Sequence, residues 1–156
     1  MNLATLLTAN QIVPQMQSTD HWEAIVELVE HLQANGFIDE VQRDPVLEAL
    51  REREEKISTG VGHGVAIPHA FSDEVENVTA VFGRSDEGIE FDALDNSPVN
   101  FVILFVVPRS EYHMHLKTLA AIAKLFTSRE VRDNLRVAES ADEILAIFSQ
   151  RPARSA

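Results

Sequence analysis

Val99-Asn100-Phe101-Val102-Ile103-Leu104-Phe105-Val106-Val107 is the stretch that decides the fold. A strand with one face in water alternates apolar and polar residues, but here only Asn100 breaks the apolar run. A strand apolar on both faces belongs at the centre of a sheet covered on both sides. The same stretch is far short of the roughly 20 apolar residues a membrane-crossing helix needs.

Working outward, Val65-Ala66-Ile67 and Val78-Thr79-Ala80-Val81-Phe82 are short β-branched runs and read as further strands. Ser85 to Ser97, with Gly88 and Asp95-Asn96, supplies turns between strands. Upstream lie a short apolar turn, Leu3-Leu6-Leu7, and an extended Gln11-Ile12-Val13-Pro14. Ser18-Thr19-Asp20 offers N-caps for a helix ending near Asn35-Gly36, with Ile25, Leu28, Val29 and Leu32 on its core face. His21 and His31 fall on its polar side as surface residues, and Trp22 reads as packing. Asp44-Pro45 predicts the start of a second helix, cap followed by proline, leading through Val46, Leu47 and Leu50 to a charged run, Arg51 to Lys56. Downstream of Glu111, Leu116, Leu119, Ala120, Ala123 and Phe126 form one apolar stripe. Thr127 or Ser128 caps a short helix with Val131 and Leu135, and Ser140 with Glu143 forms a capping box before Ile144, Leu145 and Phe148. Helices, then strands, then helices predict an α/β fold: one domain over residues 1–150, a mixed central sheet of about five strands, and helices on both faces. Residues 151–156 read as a frayed tail.

The 156 residues suit one domain, and 45% hydrophobic content supplies its core without staples. Cysteine is absent, which excludes disulfides, a thiolate nucleophile and cysteine-bound zinc. The N-terminus lacks a basic start and long apolar run, so the expectation is a soluble, cytoplasmic protein without membrane insertion. Thirteen Lys and Arg stand against 25 Asp and Glu, a formal charge of −12. Such a surface repels nucleic acid, yet leaves room for phosphate chemistry at one local site.

That chemistry is carried by Thr59-Gly60-Val61-Gly62-His63-Gly64-Val65-Ala66-Ile67-Pro68-His69-Ala70. Alternate glycines let the backbone bend sharply. The spacing fits neither a dinucleotide fingerprint nor a Walker loop, so no nucleotide cofactor is indicated. Pro68 lacks a donor, so the Val65-Ala66-Ile67 strand is expected to end there, holding His69 on stiff backbone at the sheet rim. Neutral imidazole has one free lone pair, and its other nitrogen must hold the proton in a hydrogen bond. The competing reading is an ordinary surface histidine after a strand.

The run Ser58 to Ala70 closely resembles the active-site signature of the fructose–mannitol class of phosphotransferase-system IIA domains, which includes free-standing nitrogen-regulatory IIA proteins. The resemblance implies the mannitol-type IIA fold and puts the phosphorylated histidine on His69. Arg53-Glu54 lies at the family spacing, sixteen positions upstream by subtraction (69 − 53). His115, directly before Leu116-Lys117-Thr118-Leu119-Ala120, matches the family's second active-site histidine, whereas His113 would point to another side of its helix.

By that resemblance, His69 takes phosphate from an HPr-type carrier and passes it to a IIB partner or holds it as a regulatory signal. Arg53 would offer a forked cation to the phosphoryl oxygens and His115 a ring N–H. The alternatives are a solvated helix-end charge paired with nearby Glu residues for Arg53 and a plain helix-start residue for His115. Thr59 either orients the loop or bonds a phosphoryl oxygen, and His63 has no role. No metal is expected, because the histidines match no known ligand spacing, which weakens the reading of His63, His69, His113 and His115 as a metal hydrolase. A binding module of the same fold that transfers nothing is the other alternative.

Overall fold

A computed structural model describes residues 3–56, 60–91 and 97–149. The chain opens with α1 (Leu3–Leu6), a 3-10 turn at Ala9–Gln11 and β1 (Ile12–Val13). Helix α2 (His21–Ala34) starts where Asp20 accepts a hydrogen bond from the Glu23 N–H at 2.9 Å. It ends in a Schellman turn, with Gly36 at φ 79° and the Phe37 N–H reaching back to the Leu32 carbonyl.

Helix α3 runs Glu40–Lys56, so it begins before the expected Asp44-Pro45 start. Asp39 and Gln42 cap each other's backbone N–H groups at 2.8 Å, a reciprocal box that nucleates the helix one turn earlier. Pro45 therefore lies inside α3. The helical bond it cannot make belongs to Val41, a residue 80% exposed, so the orphaned carbonyl sits on the solvent side.

Strands β2 (Gly60–Gly62), β3 (Val65–Ala66), β4 (His69–Phe71), β5 (Thr79–Ile89) and β6 (Val99–Val107) build the sheet. Its order is β1-β5-β6-β3-β2, with β4 also on β6. The pairing is mixed: β1 with β5 and β3 and β4 with β6 are parallel, β5 with β6 and β2 with β3 antiparallel. The strand expected to end at Pro68 instead resumes. Ala66 pairs with Val102 and His69 with Phe105, the same offset on both sides of the proline (102 − 66 = 36; 105 − 69 = 36). The Pro68 carbonyl still accepts from the Phe105 N–H at 2.9 Å. Proline costs the ladder one donor and leaves the register intact. Six described strands thus fill five positions across the sheet.

Strand β5 also runs beyond the turn expected at Ser85. Its register shifts between Arg84 and Ile89, where Gly88 has φ 92° and takes up the irregularity. The turn expected at Asp95-Asn96 lies outside the described residues.

After β6 come a 3-10 turn (Arg109–Glu111), α4 (Tyr112–Leu125), α5 (Arg129–Val137, capped by Ser128) and α6 (Ala141–Ser149). Two cores flank the sheet, and β6 feeds both by alternation from Phe101 to Val107. Val102, Leu104 and Val106 meet Ile25, Leu28 and Leu32 of α2 and Leu50 of α3. Phe101, Ile103, Phe105 and Val107 meet Ile122, Phe126, Leu135, Ile144 and Phe148 on the other face. No helix among the described residues is long and apolar enough to cross a membrane.

Candidate functional site

Parallel β4 and β6 end together, and the chain leaving β6 turns through Pro108 into α4, which folds back over these ends. Crevices beyond the carboxyl ends of parallel strands are the usual ligand sites of α/β sheets. His69 opens β4 and His115 lies in the first turn of α4, their ring centroids 5.5 Å apart.

Carbonyls alternate between the two edges of a strand. Pro68 directs its carbonyl at β6, so that of Ile67 faces the other way, and His69 Nδ1 lies 2.8 Å from it. A carbonyl only accepts, so Nδ1 carries the proton and Nε2 keeps the lone pair. Burial lowers the His69 pKa below the ordinary histidine value. The Ile67 hydrogen bond and the Glu54 charge pull it up, and the Arg53 charge pushes it down. Arg53, half-buried in the last turn of α3, therefore acts on the ring.

His115 departs from the sequence reading. It was expected at the helix start, outside an apolar stripe of Leu116, Leu119, Ala120, Ala123 and Phe126. Of that stripe Phe126 is buried and Leu119 packs against the core, but His115, Thr118 and Ile122 are the buried positions of α4, and Leu116 is 46% exposed. Thr118 can be buried there because its hydroxyl donates to the Met114 carbonyl at 3.1 Å. His115 is 2% exposed and surrounded by Phe105, Phe71 and His69, at centroid distances of 5.1, 5.8 and 5.5 Å. Neither ring nitrogen has a hydrogen-bond partner among the described residues. Burial, with a smaller push from His69, lowers its pKa to about 4. It is a neutral imidazole at physiological pH.

His113 is exposed and touches only the Tyr112 ring among aromatic neighbours described. His63 is exposed in the β2–β3 hairpin at φ 58°, at the far end of β3 from His69. Thr59 lies outside the described residues. Sequence reasoning missed Phe71 and Phe105, which form the walls around His115. It also missed His21, read as plain surface: its Nε2 lies 2.6 Å from Glu54 Oε2. His31 likewise meets the Asn10 carbonyl at 2.8 Å. These contacts join residues 33 and 21 positions apart, which no local pattern announces.

Such a site has a lone pair held at one fixed atom, a cation acting on the same ring and a second neutral imidazole beside it. Among the described residues no three His, Cys, Asp or Glu side chains are grouped so that they could hold a metal ion.

The chain is similar to known proteins along nearly its whole length. The family model described as "Phosphoenolpyruvate-dependent sugar phosphotransferase system, EIIA 2" matches residues 5–151. A nitrogen regulatory protein of Bradyrhizobium diazoefficiens is 32% identical over 156 residues, all of both chains. The fructose-specific EIIABC component of Bacillus subtilis is 34% identical over 96% of this chain, which spans only 23% of that protein. The crystal structure of the nitrogen regulatory protein IIA-Ntr from Neisseria meningitidis superposes with a TM-score of 0.85 at 32% identity, covering 94% of this chain and 98% of that one.

Proposed function

Because the chain belongs to the EIIA 2 family of the phosphoenolpyruvate-dependent sugar phosphotransferase system, we propose that it carries a phosphoryl group on Nε2 of His69. The Nε2 lone pair attacks the phosphorus of an HPr-type phosphohistidine. The new N–P bond forms as the carrier's N–P bond breaks, and the electron pair returns to the carrier's imidazole. The Nδ1–H stays on Ile67, so no proton has to move on this chain. The observation that carries the reading is this 2.8 Å bond, which leaves Nε2 unprotonated.

Phosphoryl transfer asks the protein for positioning and charge stabilisation more than for covalent help. Arg53 supplies the cation that binds phosphoryl oxygens, and His115, being neutral, supplies one ring N–H to them. Tyr112, Met114 and Leu116 expose apolar surface at 45%, 47% and 46%, and the Tyr112 ring meets that of Phe71 at a tilt, with centroids 5.0 Å apart. A partner docking on this rim meets His69, and a phosphate worth about −1.5 to −2 charges there changes the interface.

The end-to-end match to a nitrogen regulatory protein favours a regulatory output over delivery to a sugar-specific IIB partner. Both outputs belong in the cytoplasm, where phosphoenolpyruvate is available. The test is incubation with phosphoenolpyruvate, enzyme I and an HPr-type carrier, followed by intact-mass measurement. One acid-labile, base-stable phosphoryl group per chain is expected, and His69→Ala should take none. Phosphate on His69→Ala would overturn the reading, and a wild-type chain that takes none would make the protein a binding module.

A further inference from the structure

The last turn of α3 carries two opposite charges that both act on His69, Arg53 and Glu54. As neighbours on a helix they point about 100° apart. Glu54 turns inward, its side chain only 6% exposed, and takes a hydrogen bond from His21 Nε2 at 2.6 Å. His21 is the first residue of α2, and its ring lies on fully buried Phe91 with centroids 4.2 Å apart.

A carboxylate this buried needs a donor. A well-packed apolar pair would hold two helices together as well or better, so a polar pair between them is weak evidence for stability. What it adds is direction, because hydrogen-bond geometry fixes a side chain more narrowly than apolar contact does. The end of a helix also needs such fixing, since its final carbonyls lack intrahelical partners.

We propose that the His21–Glu54 pair is a positioning device for the phosphoryl site: it clamps the last turn of α3 to the start of α2 and so fixes where Arg53 presents its guanidinium to His69. The proposal deepens the phosphocarrier reading and rests on it. His21 is a positioning residue, acting through Glu54 on the turn that carries Arg53.

The test is the rate of phosphoryl transfer from the HPr-type carrier, measured with melting temperature on each variant. His21→Ala should slow transfer by about 10–100-fold, the loss typical when a partner that orients a site's ligands is removed. His21→Gln, which keeps an N–H donor toward Glu54, should restore most of the rate. In an Arg53→Ala background, His21→Ala should cost less than about twofold, because coupled residues do not add. The apolar pair His21→Leu/Glu54→Leu keeps the packing and should fold, yet transfer as slowly as His21→Ala.

Wild-type transfer by His21→Ala or by the double leucine variant would overturn the proposal. So would an equal loss with and without Arg53, or an Arg53→Ala variant that transfers normally. Those outcomes leave the carrier reading standing, whereas a wild-type chain that takes no phosphate removes both.

Discussion

Replacing His115 by leucine should make the protein more stable and much less sensitive to acid. His115 is 2% exposed with both ring nitrogens unpartnered among the described residues, and its pKa is lowered to about 4. The unfolded chain returns it to the ordinary histidine value of about 6.5. The unfolded state therefore binds the proton first as pH falls. The folded state keeps its full stability above about pH 6.5, loses it progressively down to about pH 4, and loses no more from this group below that. Each unit costs about 1.36 kcal/mol, so the 2.5 units between 6.5 and 4 amount to about 3 kcal/mol. His69, shifted in the same direction, adds to the loss.

Leucine removes this proton site. It also removes a buried polar group that has no partner among the described residues, a cost of about 1–3 kcal/mol at any pH. Urea unfolding of wild type and His115→Leu, from about pH 7.5 to about pH 4.5, checks both effects. The variant should lead by about 1–3 kcal/mol at the upper end, and its lead should grow by a further 2–3 kcal/mol at the lower end. The carboxylates and the histidines other than His69 cancel in the difference. A lead that stays constant within about 0.5 kcal/mol across this range would refute the idea that His115 is buried neutral.

Two other substitutions test the site and the frame. Arg53→Ala should slow transfer by about 10²–10³-fold, the usual loss of one charge-stabilising donor, while exposed His113→Ala transfers and melts like wild type. A crippled His113→Ala measured in the carrier assay would reassign the second histidine. Gly83→Ala would place its Cβ against Met16 Sδ and 2.8 Å from Leu28 Cδ2, and should destabilise by about 1–3 kcal/mol in thermal or urea unfolding. An unchanged midpoint would mean Met16 swings aside freely.

The centre of the fold was legible because β6 announces itself: an apolar run on both faces has one place in an α/β sheet. His69 was singled out by the resemblance of Ser58 to Ala70 to a family signature, since a histidine after a proline is by itself compatible with an ordinary surface residue. What the proline does to the strand was not legible, since the missing donor removes one rung while pairing on both sides of it holds the register. The start of α3 was hidden for a similar reason. Asp44-Pro45 is a good local signal, and the Asp39–Gln42 box outcompetes it only once both side chains reach each other's backbone. His115 was named by the resemblance and misplaced by hydrophobicity, which counts a histidine as polar and gave its buried position to Leu116. The His21–Glu54 contact had no signal at all, because it joins the start of one helix to the end of the next, 33 positions along the chain.

The position of β6 also governs how this chain can be made. Strands β3, β4 and β5 leave the ribosome before it, and the edges that will pair with it stay open until it arrives. Phe101 to Val107 then emerges as seven residues without charge or proline, a composition prone to cross-β stacking. Its nearest partner in sequence is β5, and an antiparallel neighbour so close along the chain closes faster than the parallel β3 and β4, which enter at an offset of 36 residues. A β5–β6 pair alone leaves one edge of β6 open to other chains. The release of soluble protein therefore depends on how quickly the Val65–Phe71 segment reaches that edge, the same segment that carries His69.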